Sequence, residues 1–131
     1  MLTRVADASV LAAWFFDEPN RTHAGALLEG FELYAPDLLP YELANVAWVK
    51  SRQMSAAADK IAEALADAME FNIFMMPVKA AQLLTVARQL EVTAYDAAYI
   101  CVARTIGCPI ATFDRRLAKA AVRAGLAISV P

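Results

Sequence analysis

Short β-like runs alternate with longer helical patterns along this chain, and that alternation restricts the fold more than any other feature. A strand, a crossover helix and a further strand make a βαβ unit, and repeated units build a parallel sheet. Strands are expected at Leu2 to Ala6, Phe31 to Ala35, Asn72 to Met76, Pro109 to Phe113 and Leu126 to Val130. Helices are expected from Ser9 to Phe16, where Asp17-Glu18-Pro19 stops the turn, and from Arg21 to Glu29. A third runs to Arg52 with Pro40 in its first turn, and a fourth runs from Ser55, as N-cap, to Glu70. Three more follow, at Lys79 to Leu90, Tyr95 to Ile106 and Arg115 to Ala124, the last two closed by Gly107 and Gly125. With 131 residues and no repeat, low-complexity tract or linker, residues 1–131 are expected to form one domain.

Several chemistries are excluded. Gly25 and Gly30 have P-loop spacing, but Phe31-Glu32 follows where Lys and then Ser or Thr are required. Four glycines cannot supply a Rossmann fingerprint, and no Gly-x-Ser-x-Gly elbow exists. His23 is the sole histidine, which argues against imidazole acid–base catalysis and histidine-rich metal sites. Cys101 and Cys108 form neither a zinc motif nor a disulfide framework, and read as buried reduced thiols. No apolar run reaches the length of a membrane span, and Arg4 and Asp7 interrupt the stretch a signal peptide needs, so a cytosolic protein is expected.

Carboxylates remain, and their placement is informative. Asp7 follows the first strand, Glu42 lies in the first turn after Pro40, Asp96 opens a helix after Val92-Thr93, and Asp114 follows Ile110 to Phe113. Each has an ordinary structural account, because aspartate caps helices and the macrodipole favours acids near helix N-termini. Together they read differently, since open parallel sheets carry their sites beyond the carboxyl ends of the strands. Acids gathered there repel unless a cation neutralises them, and oxygen ligands select hard ions such as Mg²⁺ or Mn²⁺. The net charge of −2 offers no general attraction to nucleic acid. A local basic stripe, Arg115, Lys119 and Arg123 with Arg116 alongside, is either a nucleic-acid contact or a solvated face.

The segments Asp7-Ala8-Ser9, Glu42 with Asn45, Tyr95-Asp96-Ala97-Ala98-Tyr99 and Ala111-Thr112-Phe113-Asp114-Arg115-Arg116-Leu117 closely resemble, in order and spacing, the PIN domain of VapC ribonuclease toxins. The resemblance implies a three-layer α/β/α fold with a five-stranded parallel sheet, Mg²⁺- or Mn²⁺-dependent RNA cleavage, homodimerisation, and inhibition by a cognate VapB-like antitoxin. It further implies that Asp7, Asp96 and Asp114 hold metal, with Glu42 helping to coordinate it or orienting a water. Ser9 and Thr112 would fix those carboxylates or a phosphate oxygen, Asn45 would orient Glu42, and Arg115 or Arg116 would meet the RNA backbone. Some relatives carry another acid two residues after the fourth, where this chain has Arg116, so a second tightly held metal is not implied.

Three other readings stand beside this one: a housekeeping PIN nuclease in RNA maturation, a PIN-like binding module without activity, and a phosphoacceptor α/β domain. The last lacks an acceptor at the end of its third strand, where Met75-Met76-Pro77 stands. The apolar fraction of 60% suggests a partner surface. Successive helical residues are rotated about 100° apart, so Trp14, Phe15 and Phe16 cannot all face one core, and an antitoxin helix is expected on these aromatics or on Trp48.

Overall fold

A computed structural model describes residues 2–129. Four parallel strands, β1 (Thr3–Ala6), β2 (Glu32–Pro36), β3 (Ile73–Met76) and β4 (Ile110–Ala111), pair in the order β3-β2-β1-β4. In register, Thr3 lies opposite Glu32, Leu33 opposite Ile73, and Val5 opposite Ile110. The chain moves outward from β1 through β2 to β3, then returns to place β4 on the other side of β1. The strand order therefore reverses between β1 and β4, the place where open sheets of this kind form a crevice.

Among the described residues seven α-helices cover the sheet. On one side α1 (Ala8–Phe15) packs with α2 (Arg21–Leu28), α3 (Leu39–Gln53) and α4 (Ala58–Glu70). On the other, α6 (Ala94–Ile106) lies on β1, β2 and β4 and is flanked by α5 (Ala80–Leu90) and α7 (Arg115–Arg123). This is a three-layer α/β/α arrangement. The central strands read as apolar runs because both faces are covered: Val5, Ala6, Leu33, Ala35, Ile110 and Ala111 are all buried. Helix α6 is buried without interruption from Asp96 to Ala103, and its alanines let it lie close to the sheet. A helix enclosed all round draws its polar residues inside with it, and Asp96 is the consequence.

Among the described residues the sheet has four strands, not the five expected. The segment expected as the fifth makes a single bridge, Ile128 to Ile110, through Ile110 N–H to Ala127 O and Ser129 N–H to Ile110 O; Val130 lies outside the described residues. The cause lies in β4, which was expected from Pro109 to Phe113 and spans two residues. Beyond Ala111 the Thr112 hydroxyl accepts the Asp114 N–H and the chain turns into α7, leaving little ladder for a neighbour. Ser55 is also not an N-cap. Ser55–Ala57 forms a 3₁₀ turn, and α4 follows from Ala57 without a side-chain cap.

The aromatic cluster of α1 packs in part against the fold. Trp14, Phe15 and Phe16 are all half-buried against the core. Phe15 meets Phe71 edge-on at 5.3 Å, while Trp14 lies against Gly25 under the Arg21 guanidinium. Trp14 and Phe15 thus turn to different neighbours, one on α2 and one at the end of α4. Trp48, on α3, is 56% exposed.

Candidate active site

Asp7 stands at the carboxyl end of β1 and caps α1. Its Oδ1 accepts the Val10 N–H at 3.2 Å and the Ser9 hydroxyl at 2.6 Å, and its Oδ2 accepts the Thr112 hydroxyl at 2.5 Å. The two hydroxyls in turn accept backbone donors from the end of β4: Ser9 Oγ from Phe113 N–H and Thr112 Oγ1 from Asp114 N–H, each at 2.9 Å. Each hydroxyl has one proton, already given to Asp7, so the 3.5 Å separation between them is proximity rather than a bond. The reversal point between β1 and β4 is therefore closed by a polar lattice centred on Asp7. A carboxylate has about four lone pairs, and three of those on Asp7 are used. One on Oδ2 remains free for a ligand.

Asp114 caps α7, its Oδ1 accepting the N–H groups of Arg116 at 2.9 Å and Leu117 at 3.4 Å. Asp96 is different. The cap of α6 is Thr93, whose hydroxyl oxygen accepts the Asp96 N–H at 3.1 Å, so the Asp96 carboxylate is not needed for capping. Asp96 Oδ2 is buried and accepts no hydrogen bond among the described residues. Its one ion-pair partner among them is Arg116, whose Nε lies 3.7 Å away. Glu42, in the first turn of α3, accepts the Tyr99 hydroxyl on Oε1 at 2.5 Å. Tyr99 is one helical turn beyond Asp96 on α6, so a single helix serves two of the acids.

Electrostatics ties the four acids together. Burial pushes Asp7 up to about 6, against the pull of its Ser9, Thr112 and Val10 hydrogen bonds, and the charge of Asp114 adds to the rise. Burial also raises Glu42, opposed by the Tyr99 hydrogen bond and reinforced by Asp7, Asp96 and Asp114. Asp96 is raised by burial and then by Asp114, while Arg116 holds it back. Among the described residues, however, no three acids close to metal-ligand spacing. The acids feel one another's charge without forming a finished cage. The donor set nonetheless suits a hard divalent cation: it is all oxygen, one Asp7 lone pair is free, and Asp96 Oδ2 is buried without a partner.

The supporting residues divide. Ser9 and Thr112 fix Asp7, and Arg116 reaches Asp96 rather than solvent alone. Arg115 is exposed and makes no ion pair among the described residues. Asn45 is exposed beside Glu42 in a cleft of about 580 Å³, with Leu38, Tyr41, Val46 and Tyr95, but no hydrogen bond joins it to Glu42 among the described residues. Tyr99 orients Glu42 instead. Sequence reasoning assigned Tyr99 no role, although its i, i+3 spacing from Asp96 places both on one face of α6. Thr93 was likewise missed, and the Thr-x-x-Asp pattern at Thr93 to Asp96 is the signal that marks it.

Residues 4–123 match the family model of the PIN domain. The chain is 35% identical over 120 residues to Ribonuclease VapC3 of Pyrobaculum aerophilum, covering 88% of this chain and 92% of that protein. Among solved structures it superposes on PAE2754 of Pyrobaculum aerophilum with a TM-score of 0.70 and 25% identity, covering 91% of this chain and 84% of the other. It also superposes on VapC20 of Mycobacterium tuberculosis, a toxin that cleaves the sarcin-ricin loop, with a TM-score of 0.70 and 16% identity, over 98% of this chain and 100% of that one. The last likeness bears on the fold alone.

Proposed function

The chain belongs to the PIN-domain family, and from that premise we propose that it is a Mg²⁺- or Mn²⁺-dependent endoribonuclease, the VapC-like toxin of a toxin–antitoxin pair acting in the cytoplasm. The observation that carries this reading is the buried Oδ2 of Asp96, without a hydrogen bond among the described residues and close enough to Asp114 and Glu42 for their charges to act on one another. An acid buried without a hydrogen bond is costly unless a ligand uses it. The 35% identity to Ribonuclease VapC3 supports RNA as the substrate.

Asp7, Asp96 and Asp114 would hold the cation. When bound, it supplies Lewis acidity toward phosphate and water. The chain does the rest. Ser9 and Thr112 hold Asp7 in one orientation, so its remaining lone pair points in a fixed direction. Tyr99 holds Glu42 by Oε1, and Glu42, raised above the ordinary carboxylate range, is suited to take a proton from the attacking water. The cleft beside Glu42 presents Tyr41 and Tyr95, 79% and 67% exposed, on which unpaired bases can stack. That arrangement favours a single-stranded or looped target, since bases within a duplex are not free to stack on side chains.

Exposed Phe74, Met75 and Leu84 on β3 and α5 support pairing of two copies, and exposed Trp48 on α3 is suited to the antitoxin. The test is RNA cleavage by the purified protein with Mg²⁺, with Mn²⁺ and with excess EDTA. Cleavage is expected only with the metals; cleavage undiminished by EDTA overturns the reading. Co-expression with the product of the neighbouring reading frame tests the toxin assignment, and failure of that product to bind leaves a housekeeping nuclease.

A further inference from the structure

Arg116 is the second residue of α7, and its Nε lies 3.7 Å from Asp96 Oδ2. That separation is an ion pair too long for a hydrogen bond. The contact is lopsided: the oxygen is buried, while the Arg116 side chain is 74% exposed. Among the described residues Arg116 is the one basic side chain in ion-pair range of Asp7, Glu42, Asp96 or Asp114. Its backbone is fixed to the site, since its own N–H is bonded by Asp114 at 2.9 Å. The guanidinium is therefore tethered at the rim on a stem that solvent leaves free to turn.

A divalent cation on Asp96 brings two positive charges to an oxygen that already faces a guanidinium. Like charges at such separation repel, so one arrives as the other leaves. Resting on the nuclease reading above, we propose that Arg116 is an exchangeable counter-ion of Asp96. It neutralises the buried oxygen while no divalent cation is there, and turns to a phosphodiester of the substrate strand when the cation takes its place. A guanidinium suits this exchange because it stays charged and its remaining N–H donors fit phosphate oxygens. The outward side of Arg116 makes no other ion pair among the described residues, so nothing opposes the turn.

Two consequences oppose each other and identify the exchange: Arg116 weakens cation binding and strengthens strand binding. A purely structural arginine does neither, and one used only for RNA leaves the cation unaffected. The experiment titrates Mn²⁺ alone into wild type, Arg116→Gln, Arg116→Lys and Asp96→Asn by calorimetry. A 2′-O-methyl oligoribonucleotide, which resists cleavage, is then titrated at saturating Mn²⁺ over a range of salt. Arg116→Gln is expected to bind Mn²⁺ about tenfold more tightly than wild type, about 1.4 kcal/mol, with Arg116→Lys between them. The same Gln variant is expected to bind the oligonucleotide more weakly, with a salt slope smaller by about one. If Asp96→Asn loses Mn²⁺ while Arg116→Gln binds it as wild type does, the exchange is wrong and the acidic site stands. Unchanged oligonucleotide binding in Arg116→Gln likewise overturns the exchange. If wild type and Asp96→Asn bind Mn²⁺ alike or not at all, the metal site itself falls, and the exchange with it.

Discussion

Tyr99 donates its hydroxyl to Glu42 Oε1 at 2.5 Å, joining α6 to the first turn of α3. The bond favours the ionised form of Glu42, opposing the burial and the three aspartates that push its pKa upward. Tyr99→Phe removes this support and leaves the ring in place. Glu42 then titrates higher, so the acidic limb of the pH–rate profile should move to higher pH, with cleavage at neutral pH falling on the order of tenfold. A profile that keeps its wild-type position would show that Tyr99 serves packing alone.

Asp96→Asn keeps the shape of the side chain and removes the charge that a cation would use. Cleavage should fall at least about 100-fold at saturating Mn²⁺. Because burial and Asp114 disfavour the ionised carboxylate, the variant without metal should be at least as stable as wild type. Initial rates and thermal melts in EDTA measure the two effects. Turnover near the wild-type rate would remove Asp96 from the site.

Asp7 shifts from 3.8 to about 6 on folding, so the folded chain binds a proton more tightly than the unfolded one. Its contribution to stability is fully present below about pH 4 and is lost as pH rises through 6. Two units correspond to roughly 3 kcal/mol at most. Asp7→Asn cannot titrate there, so wild type in EDTA should lose stability relative to the variant between pH 4 and pH 7. Denaturant midpoints across that range provide the measurement, and a difference that stays flat or moves the other way contradicts it.

Thr112→Val preserves the branching of the side chain but leaves Asp7 Oδ2 short of a donor and the Asp114 N–H without its acceptor. Unsatisfied groups of this kind cost about 1–3 kcal/mol. Thr112→Ser, which keeps the hydroxyl, should recover most of that loss. Urea unfolding of the three proteins gives the comparison, and equal midpoints would mean that the lattice around Asp7 contributes little.

A Cβ at Gly25 would lie 2.8 Å from Trp14 Cζ3, closer than real contacts allow. Gly25→Ala should therefore move the indole and destabilise the chain by about 1–3 kcal/mol. The near-ultraviolet circular dichroism of tryptophan should change with it. An unaltered spectrum and midpoint would show that α1 and α2 adjust more freely than their close approach suggests.

The local pattern of the chain determined most of the elements and singled out Asp7, Glu42, Asp96 and Asp114 as candidates. Alternating apolar runs, Pro40 near the start of α3, and Gly107 and Gly125 after α6 and α7 are nearest-neighbour signals, and most elements formed within a residue or two of where they point, the start of α4 and the fifth strand excepted. Asp7 and Asp114 were legible because each opens a helix shortly after a strand, a local event. Tertiary structure decided what no window of sequence contains. Whether Leu126 to Ser129 ladders onto β4 depends on how much of β4 remains after Thr112 turns toward Asp114, and only a single bridge forms. Whether Trp14 faces solvent depends on a missing side chain at Gly25 on another helix. That Asp96 keeps an oxygen without a hydrogen bond follows from three facts at a distance: Thr93 takes the cap, α6 is enclosed on all sides, and Arg116 arrives from α7 at 3.7 Å. Spacing along a chain fixes which residues share a helix face, whereas burial and the identity of a charged neighbour are properties of packing between elements.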